Sequence, residues 1–287
     1  MGHISLIQAE RSPYASLSDL GPSGAVETIE ASDAAFLMRL GTVGGGTVRD
    51  DHRLRWVIGG SPVDYHNCVV QARLASNEVE PAIDEVIQQF RAHRVPGTWH
   101  IGPSSRPVDL GDRLRQRGFT GGWSDVGMAS DLHALPDNVP VPAGLVITRV
   151  RDRQALAAWA QARALDPEGE LESNWVAETY ARIGLGDEVP WRHYVGWLGR
   201  RPVATATLLL AAGVAGVYFV LTVPEVRRQG IGTAITLAAL LEARALGYGV
   251  GVLGASEMGR SIYRRLGFGE YCRVAVYEWP HDAAVAA

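Results

Sequence analysis

Val217-Tyr-Phe-Val-Leu-Thr-Val-Pro-Glu-Val-Arg-Arg-Gln-Gly-Ile-Gly-Thr233 is an apolar run that stops at a proline and passes through a Gly-x-Gly turn into a helical pattern. Val217 to Val223 is rich in β-branched and aromatic side chains and apolar on both faces, apart from the Tyr218 and Thr222 hydroxyls, so it predicts a central strand covered on both sides. Pro224 cannot donate to a ladder and ends the pairing. After Gly232, the residues Ile235, Ala238, Leu241 and Ala245 recur at spacings of three and four, the pattern of one helix face. The first amides of that helix, from Gln229 to Thr233, have no carbonyl partner within it. Together with the positive end of the helix dipole they form an anion site. Gly230 and Gly232 let the backbone approach a phosphate closely, and Arg227 and Arg228 add positive charge. The turn predicts pyrophosphate binding.

Spacing separates the ligands that use such a turn. A nucleoside triphosphate loop needs Gly-Lys-Ser/Thr, and the chain contains no lysine. A dinucleotide fingerprint wants a third glycine where Ile235 stands, and a strand-terminal carboxylate about twenty residues on, which is missing. What remains, Arg227-x-x-Gly230-x-Gly232 preceded by Val-Pro and followed by a long apolar helix, resembles the acetyl-CoA signature of the GNAT N-acetyltransferase superfamily. A second motif lies downstream in Gly249-Val-Gly-Val-Leu-Gly-Ala-Ser-Glu-Met-Gly-Arg-Ser-Ile-Tyr-Arg-Arg-Leu-Gly-Phe268. It reads as a strand (249–253), a helix (257–266) bearing Tyr263, and a Gly267 stop. The resemblance covers residues 217–268.

The resemblance implies an α/β (α+β) fold with a mixed, mostly antiparallel sheet flanked by helices, and acetyl-CoA as co-substrate. The amides of Arg228, Gln229, Gly230, Ile231, Gly232 and Thr233 would hold its diphosphate. The backbone of Leu221, Thr222 and Val223 would pair with the pantetheine arm, with an amide near Val223 facing the thioester carbonyl. Tyr263 would be the acid that protonates the departing thiolate, since a phenol with a pKa near 10 stays protonated at neutral pH. Ser256 stands where many relatives have an asparagine that contacts the pantetheine arm. The glutamate base of many relatives has no counterpart: Val217 to Val223 lacks a carboxylate and the next strand offers Gly251. His193, Tyr218 or a chain of waters is left for that role.

The chain has 287 residues, 47% of them hydrophobic and 20% charged, enough for two cores of ordinary size. A net charge of −4 argues against electrostatic nucleic-acid binding. No apolar run has transmembrane length and no signal segment opens the chain, so a soluble cytosolic protein is expected, with no membrane partner. Cys68 and Cys272 sit singly in strand-like runs and read as free thiols rather than a disulfide or metal pair.

Earlier in the chain, residues 1–25 read as irregular, 31–40 as a short helix, and Gly44-Gly-Gly46 as a turn. Residues 54–58, 67–74 and 98–101 read as strands, and a helix opening at Pro81 and another at 110–117 complete the pattern. Gly118-Phe119 ends that last helix as Gly267-Phe268 ends the later one, 149 residues on (267 − 118). The same offset lays Val69-Val70 on Tyr218-Phe219 and Trp99 on Tyr248, strand on strand, as in a tandem duplication. Opposite the Gly-x-Gly turn stands Glu78-Val-Glu-Pro-Ala-Ile-Asp84, acidic and without glycine, and opposite Tyr263 stands Leu114. Residues 1–134 therefore read as a degenerate GNAT-like domain, 135–144 as a proline-rich linker, and 145–287 as the catalytic domain. Within the last, 145–150, 193–198 and 203–210 read as strands, and 153–164 and 175–183 as helices. Residues 166–174 form an acidic loop whose Glu168, Glu170 and Glu172 are either a solvated surface or an attraction for a cationic amine. The activity expected is direct acetyl transfer from acetyl-CoA to a small-molecule amine. A non-catalytic acyl-CoA-binding protein and a protein N-acetyltransferase are the alternatives.

Overall fold

The computed structural model describes residues 12–43, 45–137, 141–165 and 167–280, with the backbone alone at 167 and 168. Residues 1–11, Gly44, the middle of the expected linker (138–140) and Asp166 lie outside the described residues. The chain forms two compact units, one comprising Met1–Ser32 and Gly127–Tyr271, the other Asp33–Val126 and Cys272–Ala287. The contiguous division at 134/145 is thereby corrected. The physical reason lies in the last strand of the chain, whose side chains complete the core of the unit built from residues 33–126.

Helix α1 (Gly21–Thr42) starts ten residues before the expected short helix. Ala25, Ile29, Ser32 and Phe36 are buried at spacings of three and four, and Thr28 Oγ1 donates to Gly24 O, so the stripe begins in small residues that carry little apolar signal. Strands β1 (Thr47–Asp50), β2 (Leu54–Ile58) and β3 (Asn67–Ala72) pair antiparallel in sequence. Helix α2 (Val79–His93) then leads to β4 (Gly97–Ile101), which pairs parallel with β3 at Cys68↔Thr98 and Val69↔Trp99. Helix α3 (Leu110–Gln116) and β5 (Thr120–Asp131) follow. The last strand of the chain, Gly269–Trp279, pairs antiparallel with β4 from Ala275↔Ile101 to Trp279↔Gly97. Tyr277 and Trp279 are buried, and Trp279 meets Phe119 at 5.3 Å in the same cluster as Trp99, Phe90 and Leu114. Cys68 is buried and Cys272 half-buried, and neither forms a disulfide.

In the other unit, β6 (Leu145–Arg149) is followed by α4 (Arg153–Arg163) and α5 (Pro167–Ile183). The acidic segment expected as a loop is thus the first two turns of α5. Proline in the first turn and glutamates near the positive helix end favour that outcome. Strands β7 (Trp191–Leu198), β8 (Arg201–Ala211) and β9 (Val214–Thr222) continue the antiparallel ladder from β6. Helix α6 (Ile231–Ala245) crosses to β10 (Val250–Ala255), which lies parallel to β9, and α7 (Glu257–Arg265) precedes β11 (Gly269–Trp279). On β7 the neighbours His193 and Tyr194 contact Trp159 of α4 and Glu242 of α6 respectively. Adjacent strand residues point to opposite faces, so α4 with α5 covers one face and α6 the other. Each unit is a mixed, mostly antiparallel sheet flanked by helices, as expected.

The order strand, helix, strand, helix, strand occurs twice, as β3-α2-β4-α3-β5 and as β9-α6-β10-α7-β11. Both parallel pairs hold two residues each, and Val69↔Trp99 corresponds to Gly216↔Val252. The offset is therefore 147 at the first strand (216 − 69) and 153 at the second (252 − 99), not a uniform 149. Val69 matches Gly216 rather than Tyr218, and Trp99 matches Val252 rather than Tyr248.

Since Trp279 fills the centre of the Trp99 cluster, Trp279→Ala should lower unfolding stability by about 3–5 kcal/mol. Urea denaturation followed by circular dichroism measures this, and an unmoved midpoint would show that β11 is dispensable to that core.

Candidate functional site

The register of β9 with β10 is Ala215↔Gly251 and Gly216↔Val252, and it stops there, well before β9 ends at Thr222. Beside β8, Thr205 faces Leu221 while Thr207 faces Tyr218, so β9 carries one extra residue. The bulge lies at Phe219, whose φ of 50° is left-handed. Its carbonyl accepts from Thr205 Oγ1 at 2.8 Å, which fixes the distorted peptide. The ladder thus turns away from β10 where the resemblance puts the acyl donor.

The end of β9 is tied off differently from expectation. Val223 N donates to Val203 O at 2.9 Å and Val223 O accepts from Val226 N at 3.2 Å. Its amide cannot also face a thioester carbonyl, so Val223 leaves the set of donors. Leu221 and Thr222 remain on the strand, with Thr222 O accepting from the exposed Arg227 Nε at 2.9 Å.

Pro224–Val226 forms one turn of 3₁₀ helix. Arg228 at φ 62° and Gly230 at φ 84° then reverse the chain into α6, with Gly230 as its left-handed N-cap. The first backbone bond into the helix is Ala234 N to Gly230 O, at 3.0 Å, so the amides of Gln229 to Thr233 precede the ladder and face outward with the helix dipole. Arg227, Arg228, Gln229 and Gly230 are exposed. A Cβ on Gly230 would meet only Pro142 Cγ, at 3.8 Å, and one on Gly232 only Thr222 Oγ1, at 3.4 Å. Among the described residues no side chain plugs the turn, and the strand end and helix start expected to share a ligand are adjacent.

α6 is held from its far end. Glu242 accepts from Tyr194 Oη at 2.8 Å and from Arg149 Nη1 at 3.1 Å, and Arg192, buried beside it, donates to the carbonyls of Asp187, Val189 and Trp191. Burial pushes the Arg192 guanidinium down from its ordinary range, with Arg149 adding to the effect and Glu242 opposing it. These ties fix the helix axis, and hence the direction of its N-terminus.

Helix α7 packs on β10 and α6. Ser256 is its N-cap, its Oγ accepting from Gly259 N at 3.3 Å, a role not anticipated from the sequence. Tyr263 is buried, its ring lying across Gly259, where a Cβ would come within 3.0 Å of Cε2, and edge-on to Phe268 at 6.1 Å. Gly259 thus makes room for the tyrosine.

The face under α4 and α5 carries a cluster that sequence reading missed. Trp159, Tyr180, Trp191 and His193 pack ring on ring, with Tyr180 and His193 centroids 3.9 Å apart, and Phe219 joins at 5.8 Å from Trp159. The Arg163 guanidinium lies over Phe219 at 4.0 Å and over Trp159 at 5.1 Å, and Nη2 reaches Glu172 at 2.6 Å. His193 Nδ1 meets Thr207 Oγ1 at 3.0 Å. Burial, followed by the charges of Arg149 and Arg192, drives His193 down to about 3. An enclosed imidazole that weakly basic takes no proton from an ammonium at neutral pH, so His193 is removed as the base. Tyr218 Oη shares a hydrogen bond of 2.8 Å with Ser32 Oγ of α1. Outside this cluster a surface groove of about 390 Å³ runs between α4 and α5, lined by Leu156 and several alanines, and takes no residue from β9 or the Gly230 turn.

Among the described residues no group of three or more His, Cys, Asp or Glu side chains is placed to hold a metal ion, and no helix is long and apolar enough to cross a membrane.

No protein-family model matches the sequence, and no curated protein matches it. Solved structures do match the fold. A GCN5-related N-acetyltransferase from Kribbella flavida aligns over 88% of this chain and 95% of its own, at 22% identity and a TM-score of 0.68. A tandem GNAT protein from the clavulanic acid biosynthesis pathway aligns over 94% and 98%, at 14% identity and a TM-score of 0.58. A GCN5-related N-acetyltransferase from Sphaerobacter thermophilus aligns over 94% and 95%, at 17% identity and a TM-score of 0.56. The fold of this chain is that of the GNAT N-acetyltransferases.

The state of His193 has a thermodynamic signature. Its folded pKa lies below the unfolded value of 6.5, so the stabilisation from keeping it neutral is complete above pH 6.5 and is lost as the pH falls toward 3. At pH 5 the loss is about 2 kcal/mol. Burial pushes His66 and His100 down to about 4 as well, so urea midpoints at pH 7 and pH 5 should differ by more than this, and the His193 share is the part that disappears in His193→Gln. Equal midpoints for the unaltered protein would contradict a neutral His193.

Proposed function

We propose that this chain transfers an acetyl group from acetyl-CoA directly to the amine of a small molecule. The observation that carries the reading is the open turn at Gly230, a left-handed glycine that caps a well-anchored helix with its amides outward and, among the described residues, only Pro142 beside its Cα. Arg228 to Thr233 would bind the diphosphate of CoA through backbone amides, with the helix dipole favouring the anion. The pantetheine arm would lie along β9 at Leu221 and Thr222, beyond the point where β10 stops pairing, as an added strand. The Ser256 hydroxyl, an acceptor as N-cap, keeps its proton for one bond to that arm.

Attack of a neutral amine on the thioester forms an N–C bond and places negative charge on the carbonyl oxygen. Collapse breaks the C–S bond and expels a thiolate. Tyr263 would give that thiolate its proton, the attacking nitrogen loses its extra proton to solvent, and solvent reprotonates Tyr263. The unit built on β1 to β4 would be structural, since the counterpart of the Gly230 turn there is acidic. The missing carboxylate between Val217 and Val223 favours a second reading, a protein that binds acyl-CoA without turning it over.

Gly230→Glu should abolish acetyl-CoA binding in calorimetry, because it puts a bulky anion into a left-handed position at the phosphate site. Unreduced affinity would mean that the turn binds something else. Tyr263→Phe should lower kcat about 10²- to 10⁴-fold with donor affinity unchanged. If the unaltered protein binds acetyl-CoA but releases no free thiol with any member of a broad amine panel, the non-catalytic reading is the right one.

A further inference from the structure

Five buried polar groups crowd the face under α4 and α5: Trp159 Nε1, Arg163 Nε, Ser173 Oγ and His193 Nε2 have no hydrogen-bond partner, and Tyr180 Oη interacts with Thr207. Trp159 and Tyr180 are wholly enclosed, His193 and Ser173 are 1% exposed, and the Arg163 side chain is 10% exposed. Four of the five residues touch one another through their rings and the Arg163 guanidinium. Ser173 lies two helical turns before Tyr180 on the buried stripe of α5. Each orphaned buried polar group costs about 1–3 kcal/mol, so four in one layer is a heavy cost for a purely structural core.

Their chemistry specifies what would satisfy them. An indole N–H and a guanidinium Nε–H can only donate, and the serine and tyrosine hydroxyls can donate. His193 Nε2 donates in the tautomer whose Nδ1 accepts from Thr207 Oγ1. None of the five is restricted to accepting, and Arg163 brings a positive charge. An anionic group rich in acceptors fits this set, whereas a second ammonium does not. The position fits too, because Arg163 and Trp159 both contact Phe219, the bulged residue of the strand along which the acyl donor would lie.

We infer that the acceptor amine also carries a carboxylate, bound by Arg163 and the buried donors around it. This deepens the acetyl-transfer reading and rests on it. Glu172 holds Arg163 Nη2 from a side chain that is 36% exposed, so the ligand carboxylate competes with Glu172 for the guanidinium. The two variants of this pair therefore act in opposite directions.

The test compares three amine pairs that differ only in the carboxylate: glycine and methylamine, 4-aminobutyrate and propylamine, L-phenylalanine and phenethylamine. The carboxylate member should show at least about 10-fold higher kcat/KM in one pair or more, the size expected of a charge-assisted contact. For that member Arg163→Gln should raise KM about 10-fold or more, and Glu172→Gln should lower it, with acetyl-CoA affinity in calorimetry unchanged in both variants. Arg163→Lys should restore part of the loss if charge is what matters. Equal rates within every pair, no turnover of any carboxylate member, or a KM raised by Glu172→Gln would each overturn the inference. Loss of acetyl-CoA binding by the unaltered protein would instead strike at the acetyl-transfer reading.

Discussion

Two residue pairs join β9 to β10, and beyond Gly216 and Val252 the strands part. A parallel pair needs a crossover, here helix α6, and that crossover must begin where β9 ends. The parting of the strands and the start of the helix therefore occur together. The bulge at Phe219 helps to set the first, and the left-handed Gly230 sets the second. Glu242, caught by Tyr194 and Arg149, prevents the helix from swinging and thereby fixes where its first amides point. The candidate site is a consequence of that topology more than of any one reactive side chain.

The corresponding place in the other unit shows the same topology with an acidic approach to its helix. β3 and β4 also pair over two residues, and α2 crosses between them. Its approach is acidic: Glu78 accepts from Ala75 N at 3.0 Å in the 3₁₀ turn before the helix and pairs with Arg53, while Glu80 in the first turn pairs with Arg113 at 3.1 Å. Acidic groups at a helix start satisfy its dipole from within. At Gly230 the described side chain nearest a Cβ position is the uncharged Pro142, and the positive end faces outward. One scaffold thus carries a self-neutralised helix start and an open one.

What the sequence made legible was local. A β-branched run, a proline stop and a glycine turn are written within seventeen residues, and α6, α7 and their strands fell within a few positions of expectation. What it hid depends on distant partners. β5 begins with five exposed residues that include two glycines, and only its ladder neighbours make it a strand. β11 serves the unit of residues 33–126 because Tyr277 and Trp279 fit beside Phe119 and Trp99, a match no window of sequence contains. The start of α5 misled through its glutamates, which read as a solvated loop and are also what a helix N-terminus prefers. Ser256 read as a ligand contact and is an N-cap. The serine before Glu257-Met-Gly259 was a signal for that role.

The aromatic cluster under α4 and α5 could not have been assembled from spacing, since its members come from two helices and three strands. Once assembled, it constrains the chemistry on the neighbouring strand. It makes His193 too weak a base and too enclosed to serve, and it places a guanidinium against the bulge instead. With His193 too weakly basic and the Glu172 carboxylate held by Arg163, that side supplies no free base for the amine. An amine delivered already neutral, or one that loses its proton to solvent on binding, suits this site better than one that relies on an internal base. A positive charge beside the acceptor acts in the same direction, because it disfavours the ammonium form and lowers the pKa of the amine it faces.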